Sequence, residues 1–282
     1  MSRESEIKAL INLVDDEDES IYFQIREKLI EHGVDAIPFL ENAWEANSLG
    51  NEFQTRVEDI IHDIQFTDVT ESLKVWVAKG GVDLITGILL LNKHHYPDVN
   101  VGHIKSRIQD IVTAIQVGWN DNLSDRQKVV SINRALFTHF KFQGDNEDYY
   151  SPSNSILSNV LERRKGNPLM LSILYMEVAR QLKLKIVGIN LPRHFVVALK
   201  AKNDIQFYLS PFNNGTVMNL GDLEDYLKRL NLPFAEKDLE ECSNLEIVKR
   251  VLLNLSNSYM KLKNKDKLRE VNLLYDLVNG VG

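Results

Sequence analysis

The chain has 282 residues, of which 44% are hydrophobic and 26% are charged, a composition typical of globular proteins. Its net charge of −7 argues against a general nucleic-acid-binding surface, which needs a basic excess. The single cysteine, Cys242, excludes an internal disulfide framework. The N-terminus lacks an apolar signal core, and no run approaches the roughly 18 apolar residues of a membrane span, so we expect a soluble cytoplasmic protein without membrane contact.

Residues 4–92 are predicted to form short amphipathic helices. Ile25 and Leu29 share one helical face, and Gly33 follows as a residue that can end the helix. Pro38 suits only the first turn of the helix after it. Helix pairs of this kind resemble HEAT-type α-hairpins, and a stack of about three is needed to bury a core.

A predicted loop over residues 93–102 separates this region from two further helices, near residues 104–117 and 125–140. The loop region contains four potential metal ligands, His94, His95, Asp98 and His103. Their spacing matches no zinc motif, and adjacent histidines point in different directions. The sequence therefore predicts no metal site, and no cofactor is expected.

The segment 149–199 carries the most informative order of elements. A loop and a helix lead to a Gly-Asn-Pro turn, a second helix, a strand, a Pro turn and a His that opens another strand. Asn154 is a candidate N-cap for the first helix, predicted over residues 154–165, and Glu162 is expected to pair with Arg163. Strands are predicted at residues 185–190, 195–200 and 205–210, with a hairpin turn at Asn203-Asp204 and a loop over residues 211–221.

From about residue 222 the chain is predicted to be helical again. Val248, Leu252 and Leu255 lie on one apolar stripe, and a second stripe follows a basic turn. The pair resembles a single TPR-like hairpin, which cannot bury a core alone and should pack on the central domain. We therefore predict a mostly helical α+β chain, with HEAT-like helices in residues 1–92, a core with a small antiparallel sheet in residues 93–221 and a TPR-like tail in residues 222–282.

Several motifs in the central part resemble a known family. They are Tyr150, Pro152, Asn154-Ser155, residues 160–164 (VLERR), Gly166-x-Pro168, Leu174-Tyr175-x-Glu177-Val178-Ala179, Leu191-Pro192-x-His194-Phe195 and residues 211–215 (PFNNG). In this order they resemble the bacterial SirB-type transglutaminase-like proteins, which carry a TPR-like C-terminal tail. The resemblance covers roughly residues 95–282 and implies a transglutaminase-like (papain-like) core.

The resemblance also implies where catalytic residues would stand. In active enzymes of this kind a Cys opens a helix, a His opens the following strand, and an Asp at the end of the next strand orients the His. These roles fall on Pro168, His194 and Ser210, so the nucleophile and the orienting carboxylate are both missing. A Pro at the Cys position is usual in SirB-type proteins, whereas Asp is commoner than Ser at the third position. This chain is therefore expected to be further from an enzyme than its relatives.

Other potential catalytic groups are weaker candidates. Ser172 lies one turn after Pro168, but a mid-helix hydroxyl lacks the exposed turn that a nucleophile needs. His194 is either a surviving base or a buried histidine bonded by backbone or by Ser210, and we favour the second interpretation. Cys242 is distant in sequence from this helix. The residues expected to line the degenerate cleft are Tyr150, Asn154, Arg163, Asn167, Ser172 and Phe195.

The sequence thus predicts a non-catalytic interaction or regulatory protein. We expect it to bind a protein or peptide partner through the degenerate cleft and the helical arms, and to have no nucleic-acid or membrane partner. The alternative is a residual hydrolase or acyltransferase of the peptidase-like class, using His194 with a hydroxyl or a water. A scaffold without a ligand is a third hypothesis. The sequence indicates no oligomeric state.

Overall fold

A computed structural model describes residues 2–46, 50–202, 204–233 and 235–280 of the chain. The chain is mostly helical and contains a small antiparallel sheet of four strands, which confirms the predicted α+β class. It divides into two compact units, Met1–Val75 and Trp76–Gly282. Within the described residues, no helix has the length and apolarity needed to cross a membrane. The three-part division at residues 92 and 221 stays a prediction.

Among the described residues four α-helices begin the chain, and Gly33 and Pro38 have the positions that the sequence predicts. The prediction of short helices is wrong for the fourth helix, which runs over 28 residues because one apolar face continues along it. The chain turns after the second helix at Gly33, where φ is +63°, and Pro38 lies in the first turn of the third. Ile25, Leu29 and Leu40 are buried in one apolar cluster with residues of the first and fourth helices. The helices are α1 (Arg3–Ile11), α2 (Glu19–His32), α3 (Ile37–Glu45) and α4 (Asn51–Ala78).

Three further helices precede the central segment: α5 (Leu84–His95), α6 (Val101–Gln116) and α7 (Asp125–Asn133). The predicted loop at residues 93–102 is partly wrong, because α5 continues through His95. Tertiary contacts hold this last turn: the buried His94 lies 3.0 Å from a Glu270 carboxylate oxygen, and His95 Nδ1 lies 2.7 Å from the Tyr259 hydroxyl. Ser124 caps α7, and a π-helical turn continues that helix over residues 134–139.

The central segment contains two short strands and two helices: β1 (Gln143–Gly144), α8 (Leu157–Arg163), β2 (Lys165–Gly166) and α9 (Pro168–Gln181). Strands β1 and β2 pair in parallel. Helix α9 is buried along almost its whole length, so it forms the centre of the second unit. The predicted helix over residues 154–165 is wrong at its start, because residues 152–155 form a 3₁₀ turn. The N-cap of α8 is Ile156, and Asn154 does not cap it.

The sheet consists of β3 (Ile186–Ile189), β4 (Val196–Ala201), β5 (Asp204–Ser210) and β6 (Thr216–Met218), hydrogen-bonded in that order. The first three strands are confirmed predictions, since their β-branched and aromatic residues suit a half-buried pleat. Of the predicted hairpin turn, Asn203 lies outside the described residues. The predicted loop at residues 211–221 is wrong in part, because β6 pairs with β5 as the edge strand.

Three helices end the chain: α10 (Leu220–Arg229), α11 (Asn244–Leu262) and α12 (Lys265–Asn279). Helix α11 buries Val248, Leu252 and Leu255, the stripe that the sequence predicts. The segment just before α11 is hydrogen-bonded to the sheet: the Cys242 N–H donates to the Gly188 carbonyl at 2.9 Å. The assignment of α11 and α12 to the TPR class stays a prediction.

Candidate functional site

Two adjoining cavities of the second unit meet at the N-terminus of α9. The larger has a volume of about 590 Å³ and the smaller about 80 Å³. Both are lined by Tyr149, Pro168, Arg193 and His194. We call the combined space the Pro168 cleft, with a large chamber and a small chamber. Pro168 and His194, two of the three positions at which the resemblance predicts catalytic residues, therefore line a cavity.

Helix α9 begins with a turn that is rigid and offers no nucleophile. Asn167 caps the helix, because its Oδ1 accepts the Met170 N–H at 2.8 Å, and its Nδ2 donates to Ser155 Oγ at 2.8 Å. Pro168 takes the first helical position, where a missing N–H leaves no hydrogen bond unmade. At the position where a thiolate would stand, the protein presents a proline ring.

An ion-pair network outside the cleft stabilises the turn that begins α9. Arg163 donates to Asp145 Oδ2 at 2.9 Å and to Asn154 Oδ1 at 3.1 Å, and the Asn154 carbonyl accepts the Asn167 N–H at 3.2 Å. Burial opposes ionisation of Asp145, but hydrogen bonds from the Asp148 N–H and from Arg163 outweigh it and hold the Asp145 pKa below its usual value. The network thus connects a buried carboxylate to the start of α9.

This network corrects one sequence expectation and places two predicted site residues. The partner of Arg163 is Asp145, and Glu162 is exposed instead of paired with it. Asn154 and Arg163 stand behind the turn and are absent from the walls of both chambers. Sequence reasoning missed Asp145, since no local pattern indicates that a residue 18 positions before Arg163 lies beside it.

His194 is half-buried on the wall of both chambers. Its ring centroid lies 5.1 Å from that of Tyr226, and among the described residues its imidazole has no hydrogen-bond partner. Burial lowers the pKa of His194 to about 4, and the nearby charge of Arg250 adds to the shift. The imidazole is therefore neutral at pH 7, with both ring nitrogens available to a ligand.

The two serines considered beside His194 do not serve it. Ser210 is completely buried, and its Oγ accepts a hydrogen bond from Asn213 Nδ2 at 3.1 Å instead of contacting His194. Ser172 is also completely buried, lines neither chamber, and its hydroxyl has no hydrogen-bond partner among the described residues. No hydroxyl in the described part of the chain is bonded to His194, so a Ser–His pair is not formed.

The remaining predicted residues have different positions. Asn167, Phe195 and Tyr150 all line the small chamber. The Phe195 ring packs so closely on Gly188 that an added Cβ would lie 2.7 Å from its Cζ. Tyr150 is about half exposed, and the Lys261 ammonium lies over its ring. The functional significance of these residues stays a prediction.

Helix α11 supplies a wall of the small chamber that sequence reasoning missed. Arg250, Asn254, Asn257 and Ser258 line it, and the first three follow one another at spacings of four and three residues. Such spacing puts them on one helical face, next to the apolar stripe that packs inward. The only sequence signal for this wall was the spacing of these polar residues. The same spacing is equally typical of a helix face exposed to solvent, so it did not indicate a site.

Other reactive groups do not extend the site. Cys242 lines neither chamber, and burial raises the pKa of its thiol to about 12, so it is not a thiolate at neutral pH. A search of the described residues finds no group of three or more His, Cys, Asp or Glu side chains arranged to hold a metal ion. The small chamber offers neutral polar side chains and two arginines, whereas the large chamber adds the carboxylates of Asp222 and Asp225.

Comparison with known proteins identifies the class. Residues 102–253, more than half of the chain, match the transglutaminase-like superfamily, and the protein belongs to that superfamily. The match agrees with the order of elements described above, in which the buried helix α9 begins at Pro168 and His194 precedes β4. No solved structure gives a significant match.

Relatives are found in bacteria and in animals. The chain is 29% identical over 207 residues to a UPF0162 protein of Xylella fastidiosa (strain 9a5c). The aligned part is 69% of this chain and 73% of that protein. It is 25% identical over 183 residues to a UPF0162 protein of Vibrio cholerae, covering 64% and 67% of the two chains. F-box only protein 21 of Mus musculus is 35% identical over 105 residues, 35% of this chain and 17% of that protein.

Proposed function

We propose that this chain is a non-catalytic member of the superfamily, of the SirB type, whose Pro168 cleft binds an extended peptide segment of another protein. The observation that carries the proposal is a cleft of about 590 Å³ beside Pro168, which occupies the position where the resemblance implies a nucleophile. A site kept only for packing would be expected to close around the proline ring, because protein interiors leave few voids. An open cleft without a nucleophile favours binding over catalysis.

The large chamber has walls that suit a peptide. Its volume lies within the range of ligand pockets, large enough for roughly three or four residues. One wall is β6, an edge strand that pairs only with β5 among the described strands, and an edge strand can accept an extended peptide as a further strand. Apolar side chains of Val217 and Leu223 stand beside charges of Asp225 and Arg229, so both side chains and backbone of a peptide would find partners.

The helical parts extend the proposal. We take residues 1–92 to be HEAT-like hairpins and residues 222–282 to be a TPR-like tail, each offering surface to a protein partner in the cytoplasm. The tail already contributes to the cleft through Arg250 and Asn254, which line the small chamber. The bound segment would therefore contact both the sheet edge and α11.

A residual hydrolase is the second candidate, and one observation favours it. His194 is unprotonated at neutral pH and faces a chamber large enough for a substrate and a water. A pKa of about 4, however, makes the imidazole a weak general base at pH 7. Neither a nucleophile nor an orienting carboxylate contacts it among the described residues, so slow chemistry at most is expected.

Peptide binding can be tested directly with a variant that blocks one wall. The intact chain is incubated with a random dodecapeptide library, bound peptides are identified by mass spectrometry, and recovered sequences are synthesised and titrated by fluorescence anisotropy. Val217→Arg places a long cation on β6 inside the large chamber. Val130→Arg makes the same change at an exposed site of α7 that lines neither chamber.

The proposal expects at least about tenfold weaker binding to Val217→Arg, unchanged binding to Val130→Arg, and intact peptides after incubation. Equal binding by all three proteins would place the peptide elsewhere and overturn it. Cleaved or cross-linked peptides, formed by the wild type and lost in His194→Ala, would support the hydrolase or acyltransferase instead.

A further inference from the structure

The guanidinium of Arg250 is half-buried in the small chamber, and none of the described carboxylates serves as its counterion. Its one hydrogen bond to a described residue goes to Asn190 Oδ1, at 3.0 Å, and no carboxylate of the described residues lies within ion-pair distance. Glu246, one turn earlier on α11, accepts the Ser243 N–H and hydroxyl at 2.7 and 2.8 Å. Glu241 pairs with Lys200 at 2.7 Å. The acidic residues near Arg250 in the sequence are thus engaged elsewhere.

Three groups near Arg250, namely Tyr149, Cys242 and His194, are neutral at pH 7, and the exposed Arg193 on the wall of the same chamber is a second positive charge. Burial raises the pKa of the Tyr149 phenol and that of the Cys242 thiol, the latter to about 12, while burial lowers the pKa of His194 to about 4. Burial also lowers the pKa of Arg250 itself, although an arginine stays charged at neutral pH. A partly desolvated positive charge is costly unless an anion joins it.

The small chamber supplies neutral partners for one small anion. Asn254 and Asn257 follow Arg250 on the same face of α11, and their amides make no hydrogen bond to another described residue. A guanidinium fork matches the two oxygens of a carboxylate, and amide N–H groups complete its hydrogen bonds. The small chamber, at about 80 Å³, is far smaller than the large chamber at about 590 Å³, so it suits one small group such as a carboxylate better than several peptide residues.

We propose that the small chamber binds the C-terminal carboxylate of a peptide that occupies the large chamber, with Arg250 as its counterion and Asn254 and Asn257 as further donors. The inference rests on the proposed peptide-binding function and specifies its ligand as a free chain end. The two chambers meet at Pro168 and His194, so the last residue of the peptide would pass between these side chains. A dianionic phosphate is less suited, because Arg193 is the one further cation among the described lining residues of the small chamber and it is exposed.

The test uses small probes and paired peptides on the intact chain. N-acetylglycine, N-acetylglycinamide and inorganic phosphate are titrated while the Arg250 Nε–H resonance, assigned by its loss in Arg250→Lys, is followed by NMR. The same dodecapeptide library is offered with free and with amidated C-termini. The expected result is saturable binding of N-acetylglycine, at least about tenfold weaker binding of the amide, and preferential recovery of free-acid peptides.

Three variants make the test specific. Arg250→Gln should weaken N-acetylglycine binding at least about tenfold, whereas Arg134→Gln removes an exposed charge outside both chambers and should leave it unchanged. Asn254→Asp, four residues after Arg250, supplies an internal carboxylate. It should abolish carboxylate binding while the protein unfolds at the same or a higher temperature, so loss of fold cannot imitate the result.

The outcomes separate this inference from the proposed function. Free-acid and amidated peptides that bind equally, and are both lost in Val217→Arg, would overturn the carboxylate site and leave the peptide cleft standing. N-acetylglycine binding that depends on Arg250, without any peptide binding, would support the site and overturn the peptide function. Tighter binding of phosphate than of N-acetylglycine would overturn the carboxylate assignment.

Discussion

At the scale of single residues, Pro168 and His194 decide what the cleft can do. The proline removes both a nucleophile and a backbone N–H from the start of α9, while the imidazole stays accessible and unprotonated. Ser210, the third position of the triad, is buried and bonded to Asn213. The cleft therefore retains hydrogen-bonding groups, which suits the proposal that it binds a ligand without covalent catalysis.

The depressed pKa of His194 predicts a pH-dependent stability. Because the folded-state pKa of about 4 lies below the unfolded value of roughly 6.5, the unfolded chain binds more protons between these values. The free energy of unfolding should fall as the pH is lowered from about 6.5 to about 4, by at most about 1.4 kcal/mol per pH unit for this residue. Urea denaturation at several pH values should show a shallower slope for His194→Gln in this window.

The urea denaturation series also includes a control, which is the pH range above 7. Above pH 7 His194 is neutral in both states, so wild type and His194→Gln should have parallel profiles there. His95, whose pKa burial also lowers to about 4, leaves part of the acid slope in the variant. Identical slopes for both proteins between pH 4 and 6.5 would show that His194 is not buried as described.

Asp145 provides a second prediction at this scale. Asp145→Asn should destabilise the protein by about 1–3 kcal/mol, because Arg163 loses its charged partner behind the α9 turn. Glu147→Gln removes a neighbouring ion pair, with Lys165 at 2.8 Å, but the Glu147 side chain is 85% exposed, so a much smaller loss is expected. Thermal unfolding measures the stability of both variants. Equal losses of stability would show that the Asp145–Arg163 ion pair stabilises the protein no more than the exposed pair does.

At the scale of elements, the cleft is formed where α9, β6 and α11 approach one another. Strands β3 to β5 and the apolar stripe of α11 were predictable, since periodicity follows from which side of an element is buried. The edge strand β6 was not, because three residues within a Gly- and Asn-rich stretch give no periodic signal. The contribution of Arg250 and Asn254 was not predictable either, since it depends on α11 packing against a distant turn.

Strand β1 supports the large chamber through a contact that only glycine permits. A Cβ at Gly144 would lie 2.5 Å from Cε2 of Phe212, whose ring lines that chamber. Gly144→Ala should therefore cost about 1–3 kcal/mol and weaken peptide binding by displacing the ring. Gly118→Ala, where an added Cβ meets nothing within 4 Å, is the matched control. Unchanged chemical denaturation of Gly144→Ala would refute this packing.

At the scale of the whole molecule, the superfamily core is completed by its C-terminal helices. Residues of α11 form a wall of the cleft and, with α12, hold the end of α5 through His94 and His95. The C-terminal region is therefore expected to be required for the cleft, and not merely attached to it. This interdependence explains why the residues that line the small chamber are spread over more than one hundred positions, from Tyr149 to Ser258.

Attachment of the C-terminal helices can be probed at one hydroxyl. Tyr259→Phe removes the hydrogen bond to His95 and leaves a partly buried ring nitrogen unpaired, so we expect a loss of about 1–2 kcal/mol in the free energy of unfolding. Tyr275→Phe makes the same change on α12, where no hydrogen bond of the hydroxyl to a described residue is present, and should cost less than about 0.5 kcal/mol. Equal effects would argue against this contact.

The central claim, a cleft that binds a peptide without cleaving it, is tested most directly by hydrogen–deuterium exchange of the intact chain with and without a library-selected peptide. The account predicts slower exchange in β6 and in the part of α11 around residues 250–258, together with quantitative recovery of the uncut peptide. Slower exchange confined to other segments, or recovery of peptide fragments, would contradict it.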